Sequence, residues 1–183
     1  KTPKDGIVHP SQKQVVAEMK ARADLGIDML LIDGGWHISL QGPDSIPDRN
    51  AEWKPHPDVY RDQWRNVIEL KEQLGIDLGL WGDARAIPLD AMVWNWEHLK
   101  MKQFKLDLAR FNDHAALNGI IVKTRSFMLA TDHQCMISWD LTENAPRYGY
   151  YWAREYGNLH FMNRKDKFPP NAIYIPSLCL RDY

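Results

Sequence analysis

The chain has 183 residues, with 23 basic and 24 acidic side chains and a formal net charge of −1. That length supports one hydrophobic core and one domain, residues 1–183. Balanced charge without like-charged blocks argues against nucleic acid or an anionic membrane as partner, and no apolar run is long enough to span a bilayer.

The start, Lys1 to Gly6, lacks the apolar centre of a signal peptide, which leaves the compartment open. The two cysteines, Cys135 and Cys179, form no CxxC pair, and the seven histidines show no HExxH spacing. No metal or cofactor is expected from these patterns. Eight Trp and seven Tyr are a high share. Their faces suit sugar rings, and they also serve cores.

In chain order, Ser11 is placed to cap a helix with Val15, Val16, Met19 and Ala23 on one side. Gly26 is its stop. Met29 to Ile32 is then a continuous apolar run, as in a parallel strand covered on both faces. The unit recurs. Trp64, Val67, Ile68, Lys71 and Leu74 make a second helical stripe, Gly75 stops it, and the strand around Leu78 to Trp81 follows. Both units contain Leu-Gly-Ile-Asp, at Leu25 and Leu74. A third helix is expected over 90–101, a strand over 103–108, a fourth helix around 112–130, and a strand from Met136 to Asp140. A helical or irregular stretch over 146–156 precedes a strand from Leu159 to Met162.

Alternating helices and buried strands indicate α/β architecture with a parallel sheet. Four of the five strands end in Asp33-Gly34-Gly35, Gly82-Asp83, Asp107 and Asp140. In a (β/α)8 barrel, functional residues lie at those C-terminal strand ends. A doubly wound open sheet with ordinary loop aspartates is the alternative, but no glycine-rich phosphate loop is present. A complete barrel takes about 250 residues. The reading is therefore a TIM-barrel type fold, incomplete, with about five strands, and with further strands expected before Lys1 and after Tyr183.

The most informative segment is Phe104-Lys105-Leu106-Asp107-Leu108. Residues two apart on a strand share a face, so Lys105 and Asp107 stand together, with Phe104, Leu106 and Leu108 opposite. An ammonium favours the ionised form of a neighbouring carboxylate. Such a carboxylate suits nucleophilic sugar chemistry. A structural ion pair is the plainer reading of the same residues.

Several motifs in order resemble the α-galactosidase clan of retaining glycoside hydrolases, and bacterial melibiase-like proteins in particular. Leu25 to Trp36 resembles the "LG…IDDGW" strand of that clan. Glu52 to Pro57 resembles its "W-x-P" segment, Leu74 to Trp81 its "hG…GLW" strand, and Phe104 to Asp107 its "K-x-D" strand. Trp139 to Thr142, Arg147 to Tyr150, Glu155 to Asn158, and Asn163-Arg164 resemble the "D-x-T…R-x-G-Y…E-Y-G-N…N-R" stretch. The resemblance runs from about residue 6 to 180. It implies Asp107 as nucleophile, with Asp33, Trp36, Trp81, Lys105 and Arg164 around a sugar substrate. Asp166 and Asp140 are the choices for general acid. No cofactor is implied. Two positions depart from the pattern. Gly34 stands where the second aspartate of "IDDGW" falls, and Met162 stands where the bacterial pattern has Glu.

Three functions compete at this level. One is a retaining α-glycosidase. Another is a carbohydrate-binding or vestigial module that holds sugar without cutting it. The last is a half-barrel that associates with other chains, including copies of itself as a homo-oligomer.

Overall fold

The structure is a computed structural model and describes residues 10–38, 52–108, 113–140 and 158–161; of Ile38, Asp140 and 158–161 it describes the backbone only. The expected stretch 146–156 and the residues Arg164 and Asp166 lie outside these.

Ser11 caps α1, Gln12–Asp24, through a reciprocal pair with Gln14. The Ser11 side chain accepts from the Gln14 backbone N–H, and the Gln14 side chain accepts from the Ser11 backbone N–H, which satisfies two otherwise unpaired donors. Gly26 takes φ 71° just beyond the helix, a backbone shape that costs glycine little. β1, Met29–Ile32, follows. Two elements then appear that the periodicity does not announce: β2, His37–Ile38, and β3, Glu52–Pro55, pair antiparallel as a small separate sheet.

α2, Arg65–Leu74, starts without a side-chain cap, since Trp64 at its N-cap has φ 75° and buries its indole. Packing overrides capping preference there. Gly75, at φ 66°, ends the helix. β4, Asp77–Asp83, leads to α3, Leu89–Leu99. This helix stops two residues before the expected boundary, at Lys100 with φ 51°. β5, Gln103–Asp107, is followed by α4, His114–Ala130, and β6, Met136–Asp140. β7, Asn158–Phe161, begins one residue earlier than expected.

The main sheet has five strands in the order β1-β4-β5-β6-β7, and every neighbouring pair is parallel. Parallel neighbours need crossover connections of the kind a βα-barrel uses. Leu30, Ile32, Leu78, Leu80, Phe104, Leu106, Ile137 and Trp139 alternate onto one face and are buried. Phe104 meets Phe127 of α4 edge-on at 5.4 Å between ring centroids, which identifies this as the helix-covered face. The opposite face carries Trp81, Gln103, Lys105, Asp107 and Ser138, and this polar face holds the candidate site.

Candidate active site

Strand register builds the site. Trp81 pairs with Lys105 and Asp83 with Asp107 at the C-terminal ends of β4 and β5. Asp33 follows β1 directly, on the other side of β4. Lys105 Nζ donates to Asp33 Oδ2 at 3.0 Å and lies 3.9 Å from Asp107 Oδ2. The lysine thus bridges two carboxylates, with Asp33 the nearer.

Asp107 is held mainly by other groups. Trp81 Nε1 donates to its Oδ2 at 3.1 Å, and the Leu108 backbone N–H donates to its Oδ1 at 2.6 Å. Leu108 takes φ 57°. A left-handed conformation is uncommon for a bulky residue, and it accompanies an N–H folded back onto the preceding carboxylate. The Ala84 N–H donates to the Asp107 carbonyl at 2.8 Å, clipping the end of β4 to that of β5. Charge-assisted N–H donors favour an ionised carboxylate. The carboxylate keeps partial access, with 20 % of the Asp107 side chain exposed and 64 % of Asp33.

An aromatic wall stands beside these groups. His37 stacks on Trp53 at 4.3 Å between centroids and lies nearly parallel to Trp81 at 5.9 Å. The β2–β3 hairpin therefore backs Trp81. Asn95 of α3 anchors that hairpin by donating to the Trp53 carbonyl at 2.7 Å.

The expectation that Trp36 contacts substrate needs correction. Its side chain is wholly buried, and its Nε1 donates to the Trp81 carbonyl at 2.9 Å. It packs between Trp53 and Trp64. Burying a large indole with its N–H satisfied makes it a core residue that fixes Trp81. Asp140 ends β6, the strand next to β5, so its backbone lies at the same end of the sheet. Asp166 and Arg164 fall outside the described residues.

Sequence reasoning noticed Asp83 only as a strand end and passed over Lys123. Asp83 is buried, and its Oδ1 accepts from the Arg85 N–H at 2.9 Å. Lys123 of α4 reaches the same turn and donates to the carbonyls of Ala84 and Ile87. Burial pushes the Lys123 ammonium down to about 8, while the negative charge of Asp83 pulls it upward. The two sit 40 positions apart, and only the α4 crossover brings them together. Among the described residues, no group of three or more His, Cys, Asp or Glu is placed to hold a metal ion.

No family model and no curated protein matches the sequence. Solved structures do resemble the fold. α-Galactosidase I from Mortierella vinacea matches with a TM-score of 0.57 and 13% identity, over 81% of this chain and 40% of that one. A glycoside hydrolase family 97 enzyme from Pseudoalteromonas sp. strain K8, in complex with acarbose, gives 0.56 and 18%, over 80% and 24%. The α-galactosidase from Saccharomyces cerevisiae with raffinose gives 0.56 and 9%, over 81% and 35%. The chain spans between about a quarter and two fifths of the length of these proteins. It has a (β/α)-barrel type fold, of which five parallel strands are described.

Proposed function

We propose that this chain carries the nucleophile side of a retaining α-glycosidase of α-galactosidase type, which hydrolyses a terminal α-linked sugar. The observation that supports it best is the Asp107 carboxylate. It lies at the C-terminal end of a parallel strand, oriented by two N–H donors, with Lys105 bridging it to Asp33.

In this reading Asp107 attacks the anomeric carbon as the bond to the leaving oxygen breaks, forming a covalent glycosyl ester. A protonated carboxyl donates to the leaving oxygen, then takes a proton from the water that cleaves the ester. Asp140 and Asp166 are the proposed sources of that carboxyl. Lys105 and Asp33 hold sugar hydroxyls, and Trp81 supplies both an N–H to the nucleophile and an apolar wall. Arg164 is proposed as a further substrate contact.

A second reading is carbohydrate binding without cleavage. It draws on the sequence, where Met162 stands at the position at which the resembled bacterial pattern has Glu.

The test is turnover of a panel of nitrophenyl α-glycosides by this protein and by Asp107→Asn. Glycosidase action predicts turnover that the substitution reduces by more than ~10³-fold. Sugar binding with no turnover by either protein supports the second reading. Equal turnover by both removes Asp107 from the mechanism.

A further inference from the structure

The turn between β4 and α3 meets the end of β5 through main-chain groups, and two peptide planes carry the contact. One is the peptide that joins Asp107 to Leu108. Its carbonyl, that of Asp107, accepts from the Ala84 N–H at 2.8 Å. Its N–H, that of Leu108, donates to Asp107 Oδ1 at 2.6 Å. A peptide is planar, so fixing its carbonyl also aims its N–H. Ala84 therefore sets the direction of one of the N–H donors that hold the Asp107 carboxylate. Leu108 needs such a hold, because its φ of 57° is uncommon for a bulky residue.

The other plane joins Ala84 to Arg85 and is gripped on both edges. Asp83 Oδ1 accepts from the Arg85 N–H at 2.9 Å. Lys123 Nζ donates to the Ala84 carbonyl and, at 2.8 Å, to that of Ile87. The lysine thus ties the two ends of the turn together. Asp83, Ala84 and Ile87 are buried, and a Cβ on Gly82 would come within 3.1 Å of Ile87 Cδ1. In so closely packed a turn, an ammonium bound to two carbonyls fixes the position of the chain. The other cation at the turn, Arg85, places Nε 3.6 Å from Asp83 Oδ1.

Lys123 belongs to α4, which covers the face of the sheet opposite Lys105 and Asp107. It acts from behind the site, where no sugar reaches it. Lys71 offers a contrast. It is a buried lysine at the opposite end of β4, 3.3 Å from Glu72 Oε1 and 3.9 Å from Asp77 Oδ1.

We propose that Lys123 is a positioning residue for Asp107: by fixing the Ala84 peptide from behind the sheet, it aims the Leu108 N–H at the carboxylate. This deepens the glycosidase reading above and rests on it.

The experiment measures kcat and KM on the best-cleaved nitrophenyl α-glycoside for the unaltered protein, Lys123→Met and Lys71→Met. Each is assayed at a temperature where circular dichroism shows it folded. Methionine keeps an apolar stem and removes the donors. A misplacement of ~1 Å can cost ~10²-fold in rate, so Lys123→Met should lower kcat ~10–100-fold. KM should stay within ~3-fold, because Asp33 and Lys105 are untouched and ground-state binding is kept. Lys71→Met should lower the melting temperature and leave kcat unchanged. An unchanged kcat in Lys123→Met, or an equal fall in both variants, overturns the proposal and leaves the glycosidase reading standing. If the unaltered protein cleaves no glycoside, that reading falls, and the indole N–H resonance of Trp81, which donates to Asp107 Oδ2, decides the placement. It should shift and exchange faster with solvent in Lys123→Met but not in Lys71→Met. A resonance unmoved in Lys123→Met, or moved equally in both, overturns the proposal.

Discussion

Trp81 joins several parts of the candidate site. Its N–H holds Asp107, its carbonyl receives the Trp36 N–H, and its ring lies against His37 and Gly34. Trp81→Phe would keep an aromatic ring on the wall and delete one donor to a carboxylate. A hydrogen bond to a charged group contributes ~1.5–3 kcal/mol, so on the proposed glycosidase reading kcat/KM should fall ~10–100-fold with thermal stability nearly unchanged. Steady-state kinetics beside a melting curve would check this. An equal loss of stability and activity would make Trp81 a structural residue only. The alternation that places Lys105 and Asp107 on one face could be read from five residues. That Asp33 is the nearer partner of Lys105 could not, because it depends on register across residues 72 positions apart.

At the scale of elements, helix ends follow local rules where glycine marks them and depart where it does not. Gly26 and Gly75 stand just past α1 and α2, so both stops were legible. α3 ends at Leu99 with Lys100 in the left-handed conformation, and no residue type announces that turn. Lys100→Gly would remove the steric cost of that conformation and should raise stability by ~0.5–1 kcal/mol. The denaturation midpoint would report it, and a drop would show that the lysine side chain matters more than its backbone strain. The β2–β3 hairpin was illegible for another reason. β2 has two residues, β3 has four, and 13 residues separate them, so neither strand carries a readable alternation. Trp53 and His37 hold the hairpin by stacking, and stacking leaves no periodic trace in a sequence.

For the whole molecule, buried ionisable groups give stability a specific pH dependence. Lys123 titrates at about 8 in the folded chain against an ordinary 10.5. Between those values the unfolded chain binds more protons, so this group makes stability rise with pH from about 8 to 10.5. Below about 8 its burial penalty is fully present. Cys135 works in the opposite direction, since burial pushes its thiol up from 9.0 to about 12. Its contribution is intact below 9 and is lost as pH rises toward 12. Tyr60, also raised by burial, loses its contribution above pH 10. The lysine is therefore unopposed by these two between pH 8 and 9. Denaturant midpoints should rise over that interval, and the rise should vanish in Lys123→Met. A flat profile in the unaltered protein would mean that Lys123 stays charged well above 8. None of this could be read from the chain, where Lys123 sits on an unremarkable helical stretch. The barrel class could be read, because alternating helices and apolar strands with recurring terminal carboxylates encode it locally.

The indoles of Trp36, Trp53, Trp64 and Trp81 form a connected cluster with successive centroid separations of 6.0 to 6.3 Å. Electronic transitions on rings this close mix, so the cluster absorbs and emits as a coupled chromophore. Its terminal member touches the carboxylate at Asp107. A sugar settling on Trp81 would perturb a shared excited state, and near-ultraviolet circular dichroism would register occupancy without any label.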